Sequence, residues 1–215
     1  FKTTFTIFLA LMLNELRLKK VKSCVQTAAY LPYFLSWVLL GSIFLSMLQL
    51  DGVVNYVIEL FGGEPVMFMA SNKWAPVIMV VTDVWKNFGY GSILYLAALT
   101  NVDTNLYEAA ELDGASRIQQ VRHVTLPAIA PTIVLVSTLN LGNVLNAGFD
   151  QIFNMYNELI YESVDIIDTF VYRIGLVELN FSLSTAVGLL KSVVSFVLIA
   201  LSYWLAKKWT GYKIF

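Results

Sequence analysis

The chain has 215 residues, 58% hydrophobic and 13% charged, with a formal net charge of −1 and a mean hydropathy of +0.69. A soluble domain carries roughly 25% charged residues, so this composition excludes a water-soluble globule and a disordered chain and points to an integral membrane protein. A lone cysteine, Cys24, excludes a disulfide scaffold, and a pI near 5.8 with no basic block argues against nucleic-acid binding.

A membrane helix needs ~20 mostly apolar residues to cross a ~30 Å hydrocarbon core. Five stretches fit, and none alternates as a barrel strand would, so the expected fold is an all-α polytopic helix bundle. The first span, 1–16, opens inside an apolar run at Phe1-Lys2-Thr3 with no Met and no signal-peptide pattern, so an upstream span is expected to be missing. A basic loop, 14–24, follows with Arg17, Lys19, Lys20 and Lys22. The second span is 28–50 and leads to a loop over 51–73. The third, 74–99, carries Asp83 and Lys86 beside Asn87, Gly89 and Gly91. After the loop 100–125 comes the fourth span, 126–147, with Asn140, Asn143 and Asn146 spaced for one helical face. The loop 149–181 holds Asp150, Glu158, Glu162, Asp165, Asp168 and Glu178 against the single cation Arg173. The fifth span, 183–206, contains Lys191.

Cations fix the orientation. Arg17, Lys19, Lys20, Lys22, Arg117, Arg122, Lys207, Lys208 and Lys213 lie in the loops 14–24 and 100–125 and in the tail, whereas the other two loops hold only Lys73 and Arg173. The first set therefore faces the cytoplasm, and 51–73 and 149–181 lie outside. The acidic outer loop is either a solvated cap or a docking surface for an extracytoplasmic partner.

Ionisable groups in lipid are costly and face the bundle or a watery cavity. Asp83 and Lys86 form either an internal ion pair, with Lys86 snorkelling, or a pathway wall. Asn140, Asn143 and Asn146 suit hydroxyl recognition or helix–helix hydrogen bonds, and Lys191 is a further pathway candidate. Trp37, Trp85 and Trp204 suit interfaces or packing. His123, the only histidine, lacks companions for a metal site.

The loop 100–125 has the most local structure. Asn105, with Glu108 three residues on, is the expected cap of a short helix whose stripe is Leu106, Ala109 and Ala110. Gly114 ends it in a left-handed turn. Ser116 and Gln119 open a second helix with Ile118 and Val121 on its apolar side, and Pro127 fits the first turn of the next span. Such a hairpin either lies on the membrane surface or fits a groove of another protein.

Glu108-Ala109-Ala110, Asp113-Gly114-Ala115 and then Val124, Leu126 and Pro127 at fixed spacing resemble the EAA loop of ABC-importer permease subunits, departing only in Val124 where that pattern has Ile. Asn14-Glu15, Tyr30-Leu31-Pro32, the run 95–99, the run 168–173 and Ala186-Val187-Gly188-Leu189 resemble the carbohydrate branch, in particular permeases for oligosaccharides and polysaccharide fragments. The resemblance implies one permease domain over 1–215 from a six-span subunit of the bacterial inner membrane, with a cytoplasmic coupling loop at 100–125 and an extracytoplasmic loop at 149–181. It implies cytoplasmic ATPase subunits, a second permease subunit (a copy or a paralogue) and an extracytoplasmic solute-binding protein as partners. Glu108, Ala109, Ala110, Asp113, Gly114, Leu126 and Pro127 would couple this chain to the ATPase. The chain has no phosphate-binding Gly-x-x-x-x-Gly-Lys run, so ATP hydrolysis is expected in the partner and no catalytic residue, metal or cofactor on this chain. A stand-alone ion-coupled transporter using Asp83, Lys86 and Lys191 is the alternative. An intramembrane enzyme lacks the paired acids or Ser/His arrangement it would need.

Overall fold

The computed structural model describes residues 2–16, 18–142 and 144–210, and all regular structure among them is helical. Helices α1 (Lys2–Glu15), α2 (Lys19–Phe34), α3 (Trp37–Met47) and α4 (Val53–Leu60) precede the 26-residue α5 (Ala75–Thr100). The short α6 (Thr104–Leu112) and α7 (Arg117–Gln120) lead through a π-helical turn (Val121–Thr125) into α8 (Leu126–Gly142). Short helices α9 (Phe149–Met155), α10 (Tyr161–Val164) and α11 (Ile167–Tyr172) and a second π turn (Arg173–Val177) precede the 30-residue α12 (Phe181–Thr210).

The all-helical expectation holds, and four span assignments change. By length and apolarity two described helices can cross a membrane, 117–141 and 181–205, or three if a bent pair counts as one. That pair is the expected second span, broken by 100° between α2 and α3. Pro32 sits in the last turn of α2, and Ser36 restarts the chain in extended conformation, its hydroxyl accepting from the Leu39 N–H at 3.3 Å. Helix α1 has 14 residues, fewer than the ~20 of a full crossing, and the apolar run of the continuous α5 is interrupted by Asp83, Lys86 and Asn87. The fourth span starts earlier and stops sooner than its apolar run, because α7, the π turn and α8 are continuous and end at Gly142 rather than at Ala147.

The chain divides into two compact units. The first draws on described residues within Phe1–Pro32, Asn87–Gly142 and Val197–Phe215, the second on those within Tyr33–Lys86 and Asn143–Phe196. The loops that charge places in the cytoplasm all fall in the first unit, and both outer loops fall in the second.

The first unit packs Ala10, Tyr95, Leu99 and Ile129 together, with Leu126, Ile133 and Val136 against them. Glycine is required at buried Gly89: a Cβ there would stand 1.9 Å from the Ala29 carbonyl oxygen, so α2 and α5 approach backbone to backbone.

The second unit has its own core of Ala75, Met79, Ile152, Met155, Ile160 and Val164. Its buried polar groups are matched. Asn55 donates to the carbonyls of Gln49 (2.9 Å) and Val66 (3.0 Å) and accepts from the Val66 N–H (2.8 Å), closing the loop 51–73 on itself. Gln151 donates to the Met79 carbonyl (2.7 Å) and the Thr82 hydroxyl (2.8 Å), tying α9 to α5.

Candidate functional site

The loop 100–125 folds as the expected helical hairpin, with one cap displaced. The cap of α6 is Asp103, whose Oδ1 accepts from the Asn105 N–H at 3.0 Å, so Asn105 lies inside the helix. The helix stops where the sequence places its end. Gly114 has φ +76°, its N–H donates to the Glu111 carbonyl (3.0 Å), and the Ala115 N–H reaches back to Ala110 (2.9 Å). These two bonds satisfy the last carbonyls of α6 in a left-handed turn that only glycine adopts without strain. The second cap is as expected: Gln119 Oε1 accepts from the Ser116 N–H (2.7 Å) and from its hydroxyl (2.8 Å).

Helix α6 buries none of its side chains. Glu108, Ala109, Asp113 and Gly114 are exposed and Ala110 is half-buried. Leu112 and Ile118, either side of the turn, are 90% and 81% exposed. Small residues, a carboxylate and two apolar side chains thus share one projecting turn. Arg117 and Glu111 pair at 3.3 Å in the open, where such a bridge contributes little.

Side chains that spacing did not single out hold the hairpin from within. The hydroxyls of Tyr107 and Thr125 lie 3.0 Å apart. Thr125 is buried in the π turn and donates to the Gln120 carbonyl (3.4 Å), while the buried Gln120 amide donates to the Ala115 carbonyl (3.3 Å). The π turn itself has a local cause. Pro127 supplies no N–H and its ring crowds the carbonyl four residues back, so widening the preceding turn accommodates it. The Leu126 N–H then reaches the Val121 carbonyl. Pro127 is therefore inside a continuous helix rather than opening a new one, exposed, while Leu126 packs against the first unit's core.

Of the intramembrane candidates, Lys86 and Lys191 each have partners within the second unit. Buried Lys86 donates to the Tyr33 carbonyl (2.9 Å) and to the Leu35 carbonyl, with the ring centroids of Trp37 and Tyr33 at 5.4 and 5.8 Å. It supplies donors to carbonyls left open by the α2–α3 break, at the negative end of the α2 dipole. Asp83, one turn earlier, is half-buried and adds its charge to the Lys86 environment. Asn140 is exposed near the end of α8, Asn143 lies outside the described residues, and Asn146 is exposed beyond the helix, so no single helical face carries all three. Lys191 is paired with Asp168 at 2.5 Å, both largely buried.

The loop 149–181 turns part of its acidity inward. Arg173 grips Asp165 with two nitrogens, at 2.5 and 3.4 Å, and lies 4.7 Å over the Tyr161 ring. Burial pushes the Asp165 carboxyl up, but hydrogen bonds from Arg173 and from Thr169 (2.6 Å) outweigh it and hold the group below the usual carboxylate range. Asp150, Glu158, Glu162 and Glu178 remain exposed.

Residues 2–211 match the family described as "Binding-protein-dependent transport system inner membrane component". The chain is 43% identical over 203 residues to the polygalacturonan/rhamnogalacturonan transport system permease protein YteP of Bacillus subtilis (strain 168), covering 94% of this chain and 63% of that one. It is 43% identical over 210 residues to Protein LplB of the same organism, covering 97% and 66%. The chain thus spans a little under two thirds of the length of these curated relatives. A bacterial alginate ABC transporter, crystallised in complex with an alginate pentasaccharide-bound periplasmic protein, superposes with a TM-score of 0.96 at 35% identity, over 100% of this chain and 75% of that one.

Proposed function

This chain belongs to the family of binding-protein-dependent transport system inner membrane components, and on that premise we propose that it forms half of the translocation pathway of an ABC importer for an oligosaccharide. The names of its relatives, a polygalacturonan/rhamnogalacturonan permease and an alginate transporter bound to a pentasaccharide carrier, support an oligosaccharide rather than a monosaccharide. The pathway is completed by a second permease subunit, a copy or a paralogue, and an extracytoplasmic solute-binding protein delivers the sugar. Cytoplasmic ATPase subunits hydrolyse the ATP; this chain binds no cofactor. The subunit is an all-α membrane bundle in which the bent α2–α3 pair serves as one span. Exposed apolar residues of α12, among them Leu189, Leu190, Val193 and Phe196, meet lipid.

One observation carries this reading: the hairpin of α6 and α7 projects Glu108, Ala109, Asp113 and Gly114 to solvent around a glycine turn that nothing crowds. Ala109 and Ala110 allow a neighbouring surface to approach closely, and Glu108 offers a carboxylate to a basic group there. Closure of the ATPase dimer then moves the hairpin and rocks the spans as rigid bodies. Leu126 and Pro127 join the hairpin to α8. The ion-coupled alternative draws no support from the geometry, since Lys86 serves the helix break and Lys191 serves Asp168.

The test is co-purification of the full-length chain with the ATPase subunit of its own transporter, in wild type and in Gly114→Pro. Proline cannot adopt the positive φ of this turn. Binding in wild type, lost by ~10-fold or more in the variant with the thermal melting profile kept, is expected; one lost hydrogen-bonded contact region of ~1.4 kcal/mol already gives that factor. No association in wild type, or equal binding in both, refutes the coupling role.

A further inference from the structure

We infer that Tyr107 and Thr125 are positioning residues that turn the hairpin into a lever, passing displacement of α6 into α8 through the π turn. The inference rests on the coupling role proposed above and adds a residue pair that lies outside the EAA-like pattern.

Helix α6 has nine residues and buries no side chain. A helix this short is marginal by itself, and the usual source of its stability, packing of an apolar face, is absent here. Its backbone continuation is the turn at Gly114, with φ +76° and open space around the α-carbon. A turn of this kind fixes the chain's direction but resists sideways load poorly. The Arg117–Glu111 bridge spans the turn in full solvent and adds little stiffness. A further strut is Tyr107, half-buried, whose hydroxyl shares a hydrogen bond with Thr125 Oγ1 at 3.0 Å across 18 residues of sequence. Thr125 is 2% exposed and passes the bond on to the Gln120 carbonyl. The contact therefore lands inside the π turn, at the joint between hairpin and span.

A π turn holds one residue more than the α-helical register allows, and moving that residue along the chain rotates the helix beyond it by ~100° and shifts it by ~1.5 Å. A side chain anchored on Thr125 fixes where the extra residue sits. With the tie in place, displacement at Glu108 or Ala109 reaches α8 as one rigid motion. Without it, the hairpin swings on Gly114 while α8 stays behind.

The experiment uses the full-length transporter in proteoliposomes, with uptake of a uronate oligosaccharide and ATP hydrolysis measured on the same preparation. Tyr107→Phe, Thr125→Val, Thr125→Ser and the double variant Tyr107→Phe/Thr125→Val are compared with wild type. Loss of one neutral hydrogen bond predicts a fall of about five-fold in sugar moved per ATP for Tyr107→Phe and Thr125→Val. ATPase co-purification should stay at the wild-type level. Thr125→Ser, which keeps the oxygen, should retain the wild-type ratio, and the double variant should be no worse than either single one. An unchanged ratio in Tyr107→Phe overturns the inference. So does a fall that appears only together with loss of ATPase binding, which would make the pair a docking or folding element. Wild-type uptake that needs no ATP overturns the coupling role itself, and the inference with it, and is recognised before any variant is made.

Discussion

Helix α6 buries no side chain, whereas the helices between Phe149 and Tyr172 bury Gln151, Ile152, Met155, Val164 and Thr169. Apart from the Tyr107–Thr125 contact, the hairpin's bonds close over a few residues: Asp103 to Asn105, Gly114 to Glu111, Ser116 to Gln119. The outer segment's bonds reach far along the chain, from Gln151 to Thr82 and from Asn157 to the Met69 carbonyl. A segment closed by local bonds keeps its shape while its surface is free for something else. A segment closed by distant bonds is part of the unit's own core. This difference favours the hairpin as the moving contact and the outer segment as a folded cap carrying four exposed carboxylates.

The comparison breaks if a change in the outer core leaves stability alone, so the first variant is Gln151→Leu. It strips donors from the Met79 carbonyl and the Thr82 hydroxyl, both buried, and should cost about 2–3 kcal/mol, seen as earlier thermal melting of the purified complex with ATPase association unchanged. Asp165→Asn comes next. Because this pair is partly exposed, losing the charge should cost about 1–2 kcal/mol. Its pH signature is specific. The folded carboxyl titrates below the usual carboxylate range, so its contribution is complete above that range and disappears as pH falls through the lowered value. Melting followed down in pH should show this acid loss in wild type and not in Asp165→Asn. The smallest effect belongs to the hairpin: Asp103→Ala removes one cap, about 1 kcal/mol, and should speed amide exchange within Thr104–Leu112 while global melting stays put. A global shift from that variant would mean that the hairpin is woven into the core after all.

The same contrast explains what was legible in the sequence. The Gly114 turn and the Ser116–Gln119 cap are three-residue chemistry, and spacing shows them directly. Asp103 and Asn105 are both competent caps two residues apart, and propensity does not separate them. The Asn140–Asn146 spacing matches a helix face, yet α8 ends at Gly142, before Asn146. Asp83 and Lys86 stand three apart and invite pairing, but Lys86 also reaches carbonyls more than fifty residues upstream, a choice made by the α2–α3 break and invisible in its own helix. The partners of Gln151, Lys191 and Tyr107 are likewise set by tertiary structure.

The Lys86 anchor also has a consequence in time. Its acceptor at Tyr33 lies 53 residues upstream, and at ~5–20 residues per second the ribosome needs about 3–10 s to cover that distance. During that interval the carbonyls of Tyr33 and Leu35 have no Lys86 to accept from, and a nascent chain at the membrane must satisfy them with water or lipid headgroups. The kinked pair therefore lacks this anchor until the helix carrying Lys86 has been synthesised.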